Sequence, residues 1–221
     1  PAGLAGRSPA RHAGPPPAPT RVSGLVQAAT RATAVIERRG LGYCLVGGFA
    51  VSVRTEPRFT RDLDLAVAVH DDAEAERLTR SLLDAGFHAE AMVEQDAVGR
   101  LATVRLVDAD GWRVDLLFAS SGIEAELVAA AAPLEVLPGL VVPVASLGHL
   151  VALKLLARDD DTRPQDAGDL RALRDAATDD DLTEASRAVA LIDQRGYARG
   201  RDLRAAVDAW IGPAGGHRPE P

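Results

Sequence analysis

Apolar residues recur at helical spacing from 22 to 39, and Gly40 follows as a stop. The run Tyr43-Cys44-Leu45-Val46 predicts a short strand ending on Gly47-Gly48. Residues 49–54 predict a short helix directly after that turn, and 55–61 a connecting loop containing Pro57. Polar and apolar positions then alternate over 62–69, the pattern of a strand with one buried face. A helix is predicted over 72–84, with Leu78, Leu82 and Leu83 inward and Gly86 just past its end. Strands follow over 89–93, 100–107 and 112–118. The last two are joined by Asp108-Ala109-Asp110-Gly111, a hairpin signal. After a short helix near 123–130, the apolar stretch 134–144 is broken by Pro138 and Pro143 and predicts short extended pieces. The remainder is helical, over 145–158, 165–177, 182–194 and 200–211.

These elements predict an α/β (α+β) protein: a mixed β-sheet core over 21–144 and a helical C-terminal part over 145–211. Residues 1–20 hold 6 of the 14 prolines and are expected to form a disordered leader. Residues 212–221 are expected to be a tail. With 221 residues, 47% of them hydrophobic, the chain can bury a substantial core. The net charge of −7 argues against a protein that simply coats nucleic acid, although a local basic patch remains compatible with it. The single cysteine, Cys44, excludes an internal disulfide and a cysteine-built zinc site, and suits a reducing cytoplasm. No signal-peptide pattern is seen, and no apolar run is long enough to span a membrane, so no membrane role is expected.

The chemistry concentrates in two places. The first is Leu45-Val46-Gly47-Gly48-Phe49, followed after Gly48 by a gap of 13 residues and then by Asp62-Leu63-Asp64-Leu65. A strand opening into a helix through paired glycines brings backbone N–H groups close to a ligand, and a helix start favours a phosphate. Asp62 and Asp64, two apart on a strand, project from one face, followed there by the small Ala66 and Ala68. Two carboxylates this close repel unless a cation lies between them, and oxygen donors of this kind suit Mg²⁺ shared with substrate phosphates. The bland alternative is a pair of solvated acids at a strand start. Asp115 is a candidate third acid, on the strand face opposite Trp112, Val114, Leu116 and Phe118. On a strand adjacent to 62–69 it would complete the metal site or accept a proton from an attacking hydroxyl. Otherwise it is a solvated edge carboxylate.

The second place is the nearly all-apolar helix 145–158. Of the 25 basic residues only Lys154 is a lysine, on a stripe with Leu147, Leu150 and Val151. A buried ammonium needs an anionic partner. With Arg158 one turn further on, it forms a basic pair that would reach a triphosphate; the alternative is a lysine snorkelling out of a half-exposed helix. Asp166 and Asp169 share a helix face. They either orient Lys154 and Arg158 or contact base, ribose or acceptor, while Asp166 is equally explained as a first-turn acid. Cys44 and His149 are expected to be core residues, and Asp159-Asp160-Asp161 and Asp179-Asp180-Asp181 solvated loop runs that cap the next helices.

Taken together, Gly47-Gly48, Asp62-x-Asp64 and a later strand acid resemble the signature of the DNA polymerase β-like nucleotidyltransferase superfamily. More narrowly, Arg58-x-Thr60-x-Asp62-Leu63-Asp64, Lys154 and Asp166-x-x-Asp169-Leu170 are similar to the AbiEii-type toxin nucleotidyltransferases, including the MenT-like group, over about residues 40–175. The resemblance implies Mg²⁺-dependent transfer of NMP from an NTP. It assigns Gly47 and Gly48 to the triphosphate, Asp62 and Asp64 to the metals, Lys154 to the phosphates, and Asp169 or Asp166 to the last acidic motif. It further implies a tRNA 3′ end as acceptor and a paired antitoxin protein. Arg54, Arg58, Arg61, Arg113, Arg158 and Arg163 are the expected basic patch for that RNA. Two other readings stay open: a resistance-type enzyme acting on a small hydroxylated drug, and a non-catalytic partner protein that needs no metal pair.

Overall fold

The computed structural model describes residues 21–56, 62–158 and 165–212. The expected leader, the tail from residue 213 on, Arg58, Thr60, Arg61, Asp159-Asp160-Asp161 and Arg163 lie outside the described residues. In chain order the elements are α1 (Arg21–Arg38), β1 (Tyr43–Val46), α2 (Gly47–Arg54), β2 (Asp62–Val67), α3 (Asp72–Asp84), β3 (His88–Gln95), β4 (Arg100–Val107) and β5 (Arg113–Leu117). Then come α4 (Glu124–Ala130), β6 (Ala132–Leu137), β7 (Leu140–Val144), α5 (Leu147–Ala157), α6 (Gln165–Ala176), α7 (Asp179–Gln194) and α8 (Leu203–Ile211).

The seven strands form one mixed sheet in the order β3-β4-β5-β2-β1-β7-β6. β2 pairs with β5 in parallel and with β1 antiparallel, so the acid-bearing strand lies at the centre. Alternation assigns its two faces. Leu63 and Leu65 on β2, Val114 and Leu116 on β5, and Val104 and Leu106 on β4 are all buried. α1 and α3 pack against β5 and β4. The opposite face carries Asp62, Asp64, Asp115, Leu117, Thr103 and Arg105. One continuous core runs from Leu25 on α1 to Val207 on α8, so the helices after β7 share their packing with the sheet.

Two elements differ from the sequence pattern for identifiable reasons, while the extended pieces expected over 134–144 are present despite their prolines: β6 and β7 form an antiparallel hairpin in which Pro133 faces Pro143. β6 is an edge strand and β7 meets β1 only at Leu45↔Val144, so few ladder bonds are lost. β2 ends at Val67 rather than 69, where its partner β1 has its first residue, Tyr43; the Ala68 N–H adds one last bond in the same register, to the Gly42 carbonyl (3.0 Å). α7 starts at Asp179, not 182. Thr178 and Asp181 cap each other reciprocally, and the acidic run expected in a loop becomes the first turn, where it complements the helix dipole.

The expected hairpin between β4 and β5 is present. Asp108 Oδ1 accepts from the N–H groups of Asp110 (3.0 Å) and Trp112 (2.9 Å), while its Oδ2 takes Arg31 of α1 at 2.5 Å. Cys44 is fully buried, and burial pushes its thiol up to about 12, which leaves it inert at neutral pH. His149 is a satisfied core residue: its Nδ1 shares a hydrogen bond with Ser146 Oγ at 2.8 Å, and burial lowers its pKa.

Candidate active site

A cavity of about 840 Å³ opens over the polar face of β2, β5 and β4. Gly47, Gly48, Asp62, Asp64, Asp115, Lys154 and Asp166 line it, which brings together residues from both regions that the sequence marked.

The site is built outward from the β1–α2 junction, which has no intervening loop. Val46, the N-cap residue of α2, makes no side-chain cap bond, so the first-turn N–H groups are left for a ligand. They carry the positive end of the helix dipole and border the cavity, a setting that favours phosphate. Gly47 sits at φ +68, and a Cβ there would overlap the Asp64 carboxylate. The register explains this closeness: Val46 pairs with Asp64 across β1 and β2. Glycine at 47 therefore serves twice, for its left-handed backbone and for the approach of an acid to a helix start. Gly47→Ala is expected to cost about 1–3 kcal/mol in urea unfolding from backbone strain alone. Transfer activity should fall much further, because Asp64 must move.

Asp62 is exposed at the cavity mouth and Asp64 half-buried behind it. Asp115 is aligned with Asp64 on the neighbouring strand, as an adjacent parallel β5 requires. Its carboxylate is engaged by an arginine that the sequence reading did not mark. Arg105, opposite it on β4, donates from Nε to Oδ1 at 2.9 Å and from Nη2 to Oδ2 at 2.7 Å. This fork-to-carboxylate pair engages both oxygens of Asp115 and strengthens the hold of the Arg105 guanidinium on its proton. Among the described residues no three His, Cys, Asp or Glu side chains converge as a metal cluster. Asp62 and Asp64 alone still fit Mg²⁺, which binds through one or two carboxylates and takes its other ligands from phosphates and water.

Lys154 has the anionic partners that its burial calls for. Its Nζ is 2.7 Å from Asp166 Oδ1 and 2.7 Å from Asp169 Oδ2, with both acids buried. The ammonium is thus held inside a triad of formal charge −1 that borders the cavity. Of the two readings of Asp166 and Asp169, the geometry favours the one in which they orient Lys154. Arg158 is not among the residues that line this cavity. α5 ends at Ala157, and Arg158, in extended conformation, lines a separate groove with Leu155, Arg171, Arg174 and Trp210.

Among the arginines expected to bind RNA, Arg54 is structural. Half-buried, it donates to the carbonyls of Val144 (3.0 Å) and Ala145 (3.0 Å). Arg113 pairs with Glu90 on the surface. The sequence reading missed Arg105, Arg199, Gln95 and Ser120, all of which line the cavity. Arg105 was within reach: counting back from the 108–111 turn places it opposite Asp115. Arg199 comes from the α7–α8 connection and has no local signal.

Paired glycines at a helix start facing two acids on a central strand, within this mixed sheet, define a nucleotidyltransferase of the DNA polymerase β-like fold. The family model for the AbiEii nucleotidyl transferase toxin of type IV toxin–antitoxin systems matches residues 38–215, and the chain belongs to that family. Among solved structures, ANT(2″)-Ia in complex with adenylyl-2″-tobramycin aligns at 21% identity over 78% of this chain and 98% of that one, with TM-score 0.50. The solution structure of the same antibiotic-resistance factor aligns at 20% identity over 84% and 91%, with TM-score 0.46. An antigenic nucleotidyltransferase-like protein from Paracoccidioides brasiliensis gives 19% identity over 84% and 93%, with TM-score 0.46. At such identities the likeness concerns the fold. No curated protein sequence matches the chain significantly.

Proposed function

We propose that this nucleotidyltransferase moves NMP from an NTP to the 3′ end of a tRNA, as the toxin of a toxin–antitoxin pair acting in the cytoplasm. The observation that carries the transfer chemistry is Asp64 lying against Gly47 at the start of α2, which sets a carboxylate pair beside a phosphate-binding helix end. The first-turn N–H groups of α2 hold the triphosphate. Asp62 and Asp64 would hold Mg²⁺, which when bound would supply charge neutralisation for the transfer. An acceptor hydroxyl attacks the α-phosphorus, the bond to the β-phosphate bridging oxygen breaks, and pyrophosphate leaves. The hydroxyl proton passes to solvent at the mouth, where Asp62 is exposed. Residues 21–144 provide the glycines and acids, and 145–211 provide the Lys154 triad and Arg199. The contribution of the protein is positioning and charge placement, as phosphoryl chemistry requires. The family description supports the toxin role. No helix among the described residues is long and apolar enough to cross a membrane.

The acceptor is tested by incubating the protein with Mg²⁺, each labelled NTP in turn, and either total tRNA or a panel of small hydroxylated compounds. Label is expected in the tRNA fraction, with growth arrest when the protein is expressed without its antitoxin. Label confined to a small compound, without growth arrest, would replace the tRNA acceptor by a drug-like one.

A further inference from the structure

We propose that the cavity end formed by β3, β4 and the α7–α8 connection is a subsite for an extended anionic acceptor strand. Arg105 and Arg199 hold its phosphates there, and Gln95 Nε2, at the Arg199 end, donates a hydrogen bond to the same strand. This rests on the nucleotidyl-transfer reading above and deepens it, giving the acceptor a location and a chemistry.

Arg199 is placed with unusual firmness for a loop residue. It has a left-handed backbone (φ 54), which a non-glycine side chain keeps only where its surroundings enforce it. The enforcement is visible on both sides. Arg195 bonds the Gly122 carbonyl and pairs with Glu126 at 2.6 Å, and the Tyr197 ring occupies the space that a Cβ on Gly122 would need. Arg199 Nη2 donates to the Ser120 carbonyl at 2.8 Å, with Ser120 Oγ at 3.3 Å. The chain at Ser120 is fixed in turn, since the preceding Ala119 N–H donates to the Leu101 carbonyl (3.2 Å). A guanidinium from the far helical region is thus brought to the Leu101 end of β4.

Arg105 lies four residues further along the same strand, roughly 13 Å at strand rise. Its orientation is set by the two-pronged bond to Asp115, whose strand neighbour is Asp64. Thr103 lies between the two arginines on β4, and at the end of β3, opposite Arg100, stands Gln95, whose Nε2 is buried with no partner among the described residues. A buried amide donor left unmatched is costly, and a ligand acceptor atom would satisfy it. Of the carboxylates near these arginines, Glu94 is exposed at the rim and Asp115 is already engaged by Arg105. Two oriented cations and a waiting donor select an anion with acceptor atoms spread along its length. A single-stranded RNA end fits: its terminal hydroxyl reaches Asp62 and Asp64, and the preceding phosphates run past Arg105 to Arg199.

Equilibrium binding of a short fluorescent single-stranded RNA to the full chain, without nucleotide, tests the assignment. Wild type should bind with a salt-dependent affinity. Arg199→Gln should weaken binding several-fold and reduce the log–log salt slope by about 0.7, the share of one phosphate on a single strand. Gln95→Leu should weaken binding while leaving the melting temperature unchanged or raised, which a purely structural role would not produce. Wild-type affinity and slope in Arg199→Gln would overturn the subsite. So would wild-type protein that ignores RNA and binds an aminoglycoside. Because no NTP is present, the two readings fail separately: if Asp64-dependent transfer is absent but the Arg199 effect persists, the transfer reading falls and the anionic subsite stands.

Discussion

Asp64→Asn is expected to reduce NMP transfer by at least a thousandfold, about 4 kcal/mol of barrier, with the melting temperature within a few degrees of wild type. The substitution is nearly isosteric, so the contact with Gly47 and the alignment with Asp115 survive. What is lost is one of two negative charges facing the helix start, and with it the cation that neutralises the triphosphate. Asp62→Asn should behave alike in rate and be still milder in stability, because Asp62 is exposed. Single-turnover transfer at saturating Mg²⁺ with a thermal melt on the same samples makes the measurement. Near-wild-type transfer by either variant would mean that the acids of β2 are not the metal ligands.

Lys154→Ala should unfold more readily by about 3–5 kcal/mol, the usual cost of removing one partner from a buried charge set. Two buried carboxylates, Asp166 and Asp169, would be left facing each other with the ammonium between them gone. Replacing the set together, as Lys154→Leu with Asp166→Asn and Asp169→Asn, should recover most of that loss, since no charge then stays buried alone. Lys154→Arg should recover less, because a planar fork does not fit a cleft shaped for a point charge. Urea midpoints distinguish this from a direct phosphate contact. A Lys154→Ala protein of wild-type stability whose NTP affinity alone has fallen would restore the phosphate-binding role and discard the structural one.

Most of the sheet was legible because each strand is a short apolar or alternating run bounded by Gly, Asp or Pro. Asp62 and Asp64 could be identified because strand periodicity ties their two side chains to one face whatever surrounds them. The same alternation put Asp115 on the polar side of β5, but that β5 lies beside β2 is a tertiary fact which alternation does not fix. Nor could it supply the partner across the next strand, Arg105, which grips Asp115. Lys154 was recognised as a charge needing company, and the acids that satisfy it were on the page. Their distance from it depends on how α6 folds back on α5, a tertiary fact with no local signature. Arg199 illustrates the limit most plainly: nothing in Tyr197-Ala198-Arg199-Gly200 indicates a cavity nearly 100 residues upstream.

The grip of Arg54 on two successive carbonyls has a consequence for how this protein can change over time. Val144 is the last residue of β7, and Ala145 hands its own N–H to the Leu45 carbonyl (3.0 Å). One side chain from α2 therefore closes the seam where strand gives way to helix. The helix that borders the phosphate end and the helix that carries Lys154 are stitched at the same knot. Recombination that exchanged the helical half for a foreign one would have to reproduce this backbone path as well as a compatible core. The two halves are thus heritable as a unit, and new acceptor preferences are more accessible through substitutions along β3, β4 and the α7–α8 connection than through swapping whole modules.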